Sequence, residues 1–192
     1  MNTLDFLMQR QSVPSRLLTA PGPDVDQCRA LFAAALRVPD HGRLTPFRLL
    51  SIVGPARLTL GRKCAELALA REPERDPALT DKDRERFSSA PLVVAVIARI
   101  SAGHKVPEQE QLLSAGCVAY NLLLGAEALG FGAQWLTSWI AYDRAVADLL
   151  GLGSDERVIA FVHIGSKTAP GVDRPRPDPA AFVSVWQPSN ER

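Results

Sequence analysis

The stretch EQEQLLSAGCVAYNLLLGAEAL, residues 108–129, decides the fold. From Leu112 onward it is apolar or small nearly all round, with Gly116 and Gly125 inside it. It reads as one long helix. A helix that is apolar on every face must be surrounded by protein. The chain has 192 residues, enough for one domain with a sizeable core. One domain of that size can hardly cover such a helix alone, so a partner subunit packing against it is expected. Gly130-Phe131-Gly132 then breaks the helix.

Working outward, Leu92 to Ala98 (LVVAVIA) is a short, β-branched, unbroken apolar run preceded by proline. It predicts a central strand buried on both faces. Phe47 to Val53 predicts a second strand, closed by Gly54-Pro55, and Ala56 to Ala70 a helix. Arg71 to Asp83 carries charges and two prolines and reads as a surface excursion. Beyond the long helix, Ala133 to Thr137 and Arg157 to Ile164 predict strands, separated by a helix from Tyr142 to Leu150 that ends at Gly151. Near the start, Thr3 to Arg10 places Leu4, Leu7 and Met8 on one helical face. Asp24 then caps a further helix with Gln27 as its capping-box partner, and Cys28, Leu31, Phe32, Ala35 and Leu36 form the apolar stripe. Val38-Pro39-Asp40-His41-Gly42 ends that helix, since the residue before proline disfavours helix. The tail holds five prolines between Pro170 and Pro188, yet carries Phe182-Val183-Ser184-Val185-Trp186, which has strand character and apolar bulk. It is expected to dock, with the other subunit as one place for it to do so. No repeat and no boundary is visible, so residues 1–192 form a single domain. Strands and helices mix without clean βαβ alternation, which predicts an α+β sandwich of a short sheet with helices around it.

Composition excludes several classes. Hydrophobic residues make up 46%, and 22 basic against 21 acidic residues leave a net charge of +1. Nothing there points to nucleic acid or another polyanion. Cys28, Cys64 and Cys117 match no zinc pattern and no CxxC pair, and are expected to be buried free thiols in a reducing compartment. No secretion signal and no membrane-spanning stretch is apparent, so a soluble cytoplasmic protein is expected. GxSxG, HExxH, a P-loop and the Rossmann GxGxxG are all missing, and His41, His104 and His163 are too scattered for a metal site. His163, inside an apolar strand, reads as a hydrogen-bonded core histidine, while His104 and Lys105 read as a surface loop or the rim of a substrate mouth.

What is left is a set of arginines beside turns. Arg10, Ser12 and Arg16 cluster at the end of the first helix, a grouping that suits a phosphate monoester because guanidinium binds phosphate bidentately. Arg37 and His41 bracket a Pro-Asp turn, and Arg174 and Arg176 alternate with prolines in the tail. Each arginine taken singly also reads as a solvated surface residue.

The segments Met8-Gln9-Arg10-Gln11-Ser12, Arg37-Val38-Pro39-Asp40-His41 followed by Thr45-Pro46-Phe47, and the glycine break after the long helix stand in the order seen in nitroreductase-family flavoproteins. His104-Lys105-Val106-Pro107, Ser114-Ala115-Gly116-Cys117 and Ala128-Leu129-Gly130-Phe131-Gly132 resemble in particular its compact YdjA-type NAD(P)H-dependent members. The resemblance covers nearly the whole chain and rests on the ordered set rather than on one motif. Two positions depart from the family pattern. Gln11 stands where a second arginine is usual, and Thr45-Pro46-Phe47 replaces Q-P-W.

The resemblance implies a four-stranded, antiparallel-rich or mixed sheet flanked by helices, a homodimer built on the long central helix, and a C-terminal strand reaching the partner's sheet. It implies FMN at the dimer interface and NADH or NADPH as electron donor, with a nitroaromatic, quinone or similar small molecule as acceptor in ping-pong order. Arg10, Gln11 and Ser12 match positions that hold the FMN phosphate, ribityl chain and ring edge. Arg37 and His41 match positions reaching the flavin from the other subunit. Trp135, Leu136 and Thr137 match the strand-end segment along the isoalloxazine, with the Thr137 N–H as the partner of flavin N5. Gly125, Ala126, Glu127, Ala128, Leu129 and Gly130 match a stretch assigned to NAD(P). From the residues alone, Trp135 is equally a packed aromatic, His41 a turn residue, and Ala128 and Leu129 core. No catalytic side chain and no metal is required, because solvent can protonate an open site. Two alternatives stand beside this reading: an FMN carrier or redox sensor with little turnover, and a relative that consumes reduced flavin in another reaction.

Overall fold

Leu92–Arg99, strand β3, is where the two halves of the core meet. Its residues alternate between two apolar clusters, Leu92, Val94, Val96 and Ala98 in one and Val93, Ala95 and Ile97 in the other. A strand buried on both faces has no need of polar alternation, which is why the run is continuously apolar. The computed structural model describes residues 2–188. In chain order the elements are α1 (Thr3–Gln9), β1 (Leu18–Thr19), α2 (Val25–Ala35), β2 (Phe47–Val53), α3 (Pro55–Arg71), α4 (Pro77–Glu85), β3, α5 (Glu108–Ala128), β4 (Gly132–Leu136), α6 (Ser138–Tyr142), α7 (Arg144–Leu149) and β5 (Glu156–Lys167). The sheet runs β1-β5-β3-β2, with β4 on β5, and every pairing is antiparallel. The expected α+β sandwich is present, with five strands where four were expected and none of them parallel.

Helices cover both faces. α5 lies on β3, β4 and β5 and is backed by α2. That layer buries Leu31, Ala35, Val118, Leu122 and Ala126 with the Leu92 face of β3. On the other face α3, α6 and α7 bury Leu60, Cys64, Ile140 and Val146 with Phe161. A bulge lets β5 serve both layers. Val96 pairs with Ala160 and Ile97 with Val158, so Ile159 is the extra residue and Val158 and Phe161 share one face. The capping box at Asp24 and Gln27 forms as read, 2.8 Å and 3.0 Å.

The structure corrects four readings. The charged stretch 71–83 is not an excursion: Asp76 caps α4, whose Thr80 and Asp83 are buried. Prolines at a helix's first turn start helices rather than break them, and Pro77 is one of these. The helix read over 142–150 starts at Arg144, N-capped by Asp143, and a separate short helix, Ser138–Tyr142, precedes it. Of the cysteines only Cys64 is buried; Cys28 is half-buried and Cys117 exposed. His163 is fully buried, but neither ring nitrogen has a hydrogen-bond partner among the described residues.

The tail through Trp186 forms no strand within the protomer, and Phe182, Val183, Val185 and Trp186 are all largely exposed. No helix among the described residues is long and apolar enough to cross a membrane.

Candidate functional site

The Arg10–Ser12 turn is fixed by hydrogen bonds on both sides. Arg10 ends α1, and its guanidinium donates to Ser12 Oγ at 3.4 Å. Val13 N–H donates to Ala133 O at 3.0 Å, and Ser15 N–H to Gln134 Oε1 at 2.5 Å, so the turn is tied to β4. The tail closes over it. Arg176 donates to Arg10 O at 3.2 Å and pairs with Asp173 at 2.7 Å. The Arg174 N–H, together with Arg176, holds the Asp173 carboxyl below the usual carboxylate range. Gln11 is half-buried and lines a small cavity of about 100 Å³ with Glu127, Lys167 and Gly171.

Strand alternation splits β4 between two environments. Ala133 and Trp135 face the α5 layer, where Trp135 packs on the core. Gln134 and Leu136 line the wall of a cavity of about 340 Å³, closed by Ser15 and Arg16 on one side and by Lys82, Glu85 and Arg86 on the other. That size is in the range of ligand clefts. Arg16 and Lys82 have no ion-pair partner among the described residues, so the cleft carries net positive charge. Sequence reasoning missed Lys82 because it read residues 71–83 as an excursion, and it assigned Arg86 to no element. Thr137 follows β4 and precedes α6, and Ser138 comes next at φ 63. Left-handed backbone at a non-glycine residue is uncommon and gathers at functional sites.

The second half of the expected site lies elsewhere. The turn after α2 is pinned to α5 at three points: Asn121 Nδ2 to Arg37 O at 3.1 Å, Ser114 Oγ to Pro39 O at 2.9 Å, and His41 Nδ1 to Glu110 Oε2 at 2.6 Å. Asp40 accepts from the N–H groups of Leu44 and Thr45, at 3.1 and 2.9 Å, and Arg43 and Thr45 take positive φ. Thus Arg10, Gln11, Ser12 and Arg176 come together beside the start of β4, Leu136 and Thr137 stand at its far end, and Arg37 and His41 lie along α5 at Asn121 and Glu110. In the run Gly125–Gly130, Ala126 is fully buried and Leu129 packs on the core. Gly125 lies against Leu31, Glu127 faces the Gln11 cavity, and Ala128 and Gly130 are exposed.

α5 itself is covered on one face only. Ala115, Val118, Ala119, Leu122 and Ala126 are buried, while Leu113 and Tyr120 are 60% and 42% exposed and Cys117 lies beside them. A Cβ added at Gly116 would meet nothing within 4 Å. Glycine inside a helix costs about 1 kcal/mol relative to alanine, and no contact within the protomer accounts for this one.

The family model described as Nitroreductase family matches residues 7–166. The chain is similar to YdjA of Escherichia coli strain K12, assigned as an NAD(P)H nitroreductase. Identity is 31% over 189 residues, 97% of this chain and 100% of YdjA. Its fold is similar to that of a nitroreductase-like family protein from Bacillus cereus, with a TM-score of 0.79 at 19% identity and 97% of each chain covered. It is also similar to a variant of the FMN- and NADPH-dependent nitroreductase NfnB from a Sphingopyxis strain. There the TM-score is 0.76 at 20% identity, over 97% of this chain and 99% of NfnB.

Proposed function

The chain belongs to the nitroreductase family, and from that premise we propose that it is an FMN-dependent oxidoreductase, working as a homodimer, that passes electrons from NADH or NADPH to nitroaromatic, quinone or similar small acceptors. One observation carries the reading. The Gln11 and His41 turns lie toward opposite ends of an apolar helix face that no other described residue covers. Ser114, under the His41 turn, and Glu127, beside Gln11, are roughly 20 Å apart along the axis at the helical rise per residue. Packing two α5 helices antiparallel about a two-fold axis brings the His41 end of one beside the Gln11 end of the other. The split set then becomes a single cleft, and Leu113, Tyr120 and Gly116 gain a partner surface.

The residues present fit FMN. Arg10, Ser12 and Arg176 gather cationic and hydroxyl donors at a turn, as a phosphate monoester requires. Gln11 offers a neutral polar contact where a cation is usual in the family. As a backbone segment at the end of β4, Trp135, Leu136 and Thr137 would lie along the ring, and Arg37 and His41 of the partner subunit would reach it from the other side. Of the stretch proposed for NAD(P), Glu127, Ala128 and Gly130 are the residues within reach. When bound, FMN supplies hydride chemistry, taking from the nicotinamide and giving to the acceptor after the nicotinamide leaves, a ping-pong order. The side chains anchor the phosphate, orient the ring and set the local potential.

Purified protein is expected to be yellow and to bleach anaerobically with NADH or NADPH, then recover colour when a quinone is added. A colourless protein that ignores added FMN would remove the proposal.

A further inference from the structure

Among the described residues, the pair His41–Glu110 is the one ionic contact joining the turn after α2 to the first turn of α5. His41 Nδ1 lies 2.6 Å from Glu110 Oε2, a short distance for a bond between two side chains 59% and 45% exposed in the protomer. Exposed pairs contribute little to stability, so stability does not account for the turn being held at this point as well as through Ser114 and Asn121. The pair lines a cavity of about 200 Å³ with Pro39, Leu113, Ser114 and Cys117. This is the part of α5 where the apolar face lies open. Asp40, the acid next to His41, is committed to the N–H groups of Leu44 and Thr45. Arg37 and Arg43 flank the turn, and neither has an ion-pair partner among the described residues. Glu110 is therefore the carboxylate that the imidazole meets.

A carboxylate can only accept, so this contact places a proton on Nδ1. That leaves Nε2 as the single ring nitrogen available to anything across the cleft. We propose that Glu110 is a positioning residue that fixes the tautomer and plane of His41, so that Nε2–H of the charged ring donates a proton to the electron acceptor. This rests on the flavoenzyme reading above and deepens it. The step balances simply. Hydride from the reduced flavin adds to the acceptor with two electrons, and charge develops on an acceptor oxygen. The Nε2–H bond breaks, an O–H bond forms, and His41 is left neutral with its remaining proton still shared with Glu110. Solvent returns the lost proton before the next turnover. Orientation of a donor by a second group, itself away from the reacting atoms, is the usual arrangement for a histidine acid.

The test uses the full-length flavin-loaded protein carrying ¹⁵N-labelled histidine, as wild type, Glu110→Ala, Glu110→Gln, His41→Asn and the double variant Glu110→Ala/His41→Asn. Ring ¹⁵N shifts recorded where the imidazole is neutral are expected to show His41 protonated on Nδ1 in wild type and mainly on Nε2 in Glu110→Ala. Turnover with a quinone is expected to fall about ten-fold in Glu110→Ala, the low end for losing a placed acid. KM for the nicotinamide and FMN affinity should change less than two-fold. The effect should vanish in the His41→Asn background, and Glu110→Gln, which can still accept from Nδ1, should retain most of the activity. An unchanged tautomer in Glu110→Ala overturns the proposal, as does a turnover loss that persists undiminished without His41. If wild type binds no FMN, the flavoenzyme reading fails instead, and the ring shifts still report whether Glu110 sets the tautomer.

Discussion

His163 sits fully buried in β5, stacked on Phe87 with ring centroids 5.7 Å apart. Burial, with Arg86 and Arg57 adding to it, pushes its pKa down to about 4. A depressed histidine gives stability that is complete above its unfolded value, about 6.5, and lost as pH falls toward 4. The protein should therefore be about 2 kcal/mol less stable at pH 5 than at pH 8 on this account alone. His163→Phe keeps the stack and removes the charge, so urea midpoints at the two pH values should draw together; an undiminished gap would show that another group is responsible. Glu156 illustrates the opposite chemistry. Arg48 grips both its oxygens, at 2.6 and 2.8 Å, and with Gly153 N–H and Arg99 brings its pKa to about 2 against the cost of burial. Its contribution is present above about pH 4.5 and disappears as pH falls through 2. Arg48→Met strips the main partner from a carboxylate with a tenth of its side-chain surface exposed. A loss of about 2 kcal/mol at pH 7 is expected in denaturant unfolding. The sequence showed His163 to be in the core, because its strand neighbours are apolar. It could not show that the ring lacks partners, since those would come from α4 and the loop after it.

At the scale of elements, α4 is held by a buried carboxylate. Asp83 accepts from Arg75 at 2.9 Å and Trp139 Nε1 at 3.0 Å, with Arg86 at 3.5 Å. Arg57 donates to the carbonyls of Phe87, Ser88 and Ala90, which fixes the turn from α4 into β3. These bonds hold Lys82 and Arg86 at the edge of the 340 Å³ cleft. α3 approaches α4 so closely that a Cβ at Gly61 would stand 2.2 Å from Arg84 O. That contact is backbone, so it cannot swing aside. Gly61→Ala is expected to destabilise the fold by about 2 kcal/mol despite its better helix propensity. Calorimetry would register this as a lower Tm, and an unchanged Tm would mean that the helices are not in this contact. The strands β2 and β3 and helices α2 and α5 were legible in sequence because each carries a period or a run that only one element satisfies. α4 was not, because a proline-started stretch with five charges in its nine residues forms a helix here through the ionic cluster that receives Asp83.

For the whole molecule, the open face of α5 and the exposed tail are the features to test. Size-exclusion chromatography with light scattering should report twice the chain mass for the native protein. Leu113→Asp, on the uncovered face, should give monomer, with FMN affinity falling at least ten-fold because the cleft loses Arg37 and His41 of the partner subunit. A monomer that keeps its flavin at full affinity would show that one protomer holds the whole site. Arg10, Gln11 and Ser12 were readable as one group and lie together beside the start of β4, whereas Leu136 and Thr137 stand at its other end. Arg37 and His41 were read as reaching the site from the other subunit, and within the protomer they lie along α5, at Asn121 and Glu110.

The sequence by itself determined the layers, because apolar period and run length dictate which face of each element leaves water. It also determined the capped start of α2 and the existence of a helix too apolar for one protomer to cover. Only the tertiary structure decided which polar side chains share a cleft. Lys82 and Arg86 meet Arg16, and Glu110 meets His41, across separations that no local pattern encodes. Such contacts are set by how packed elements cross, and one-dimensional periodicity is silent about that.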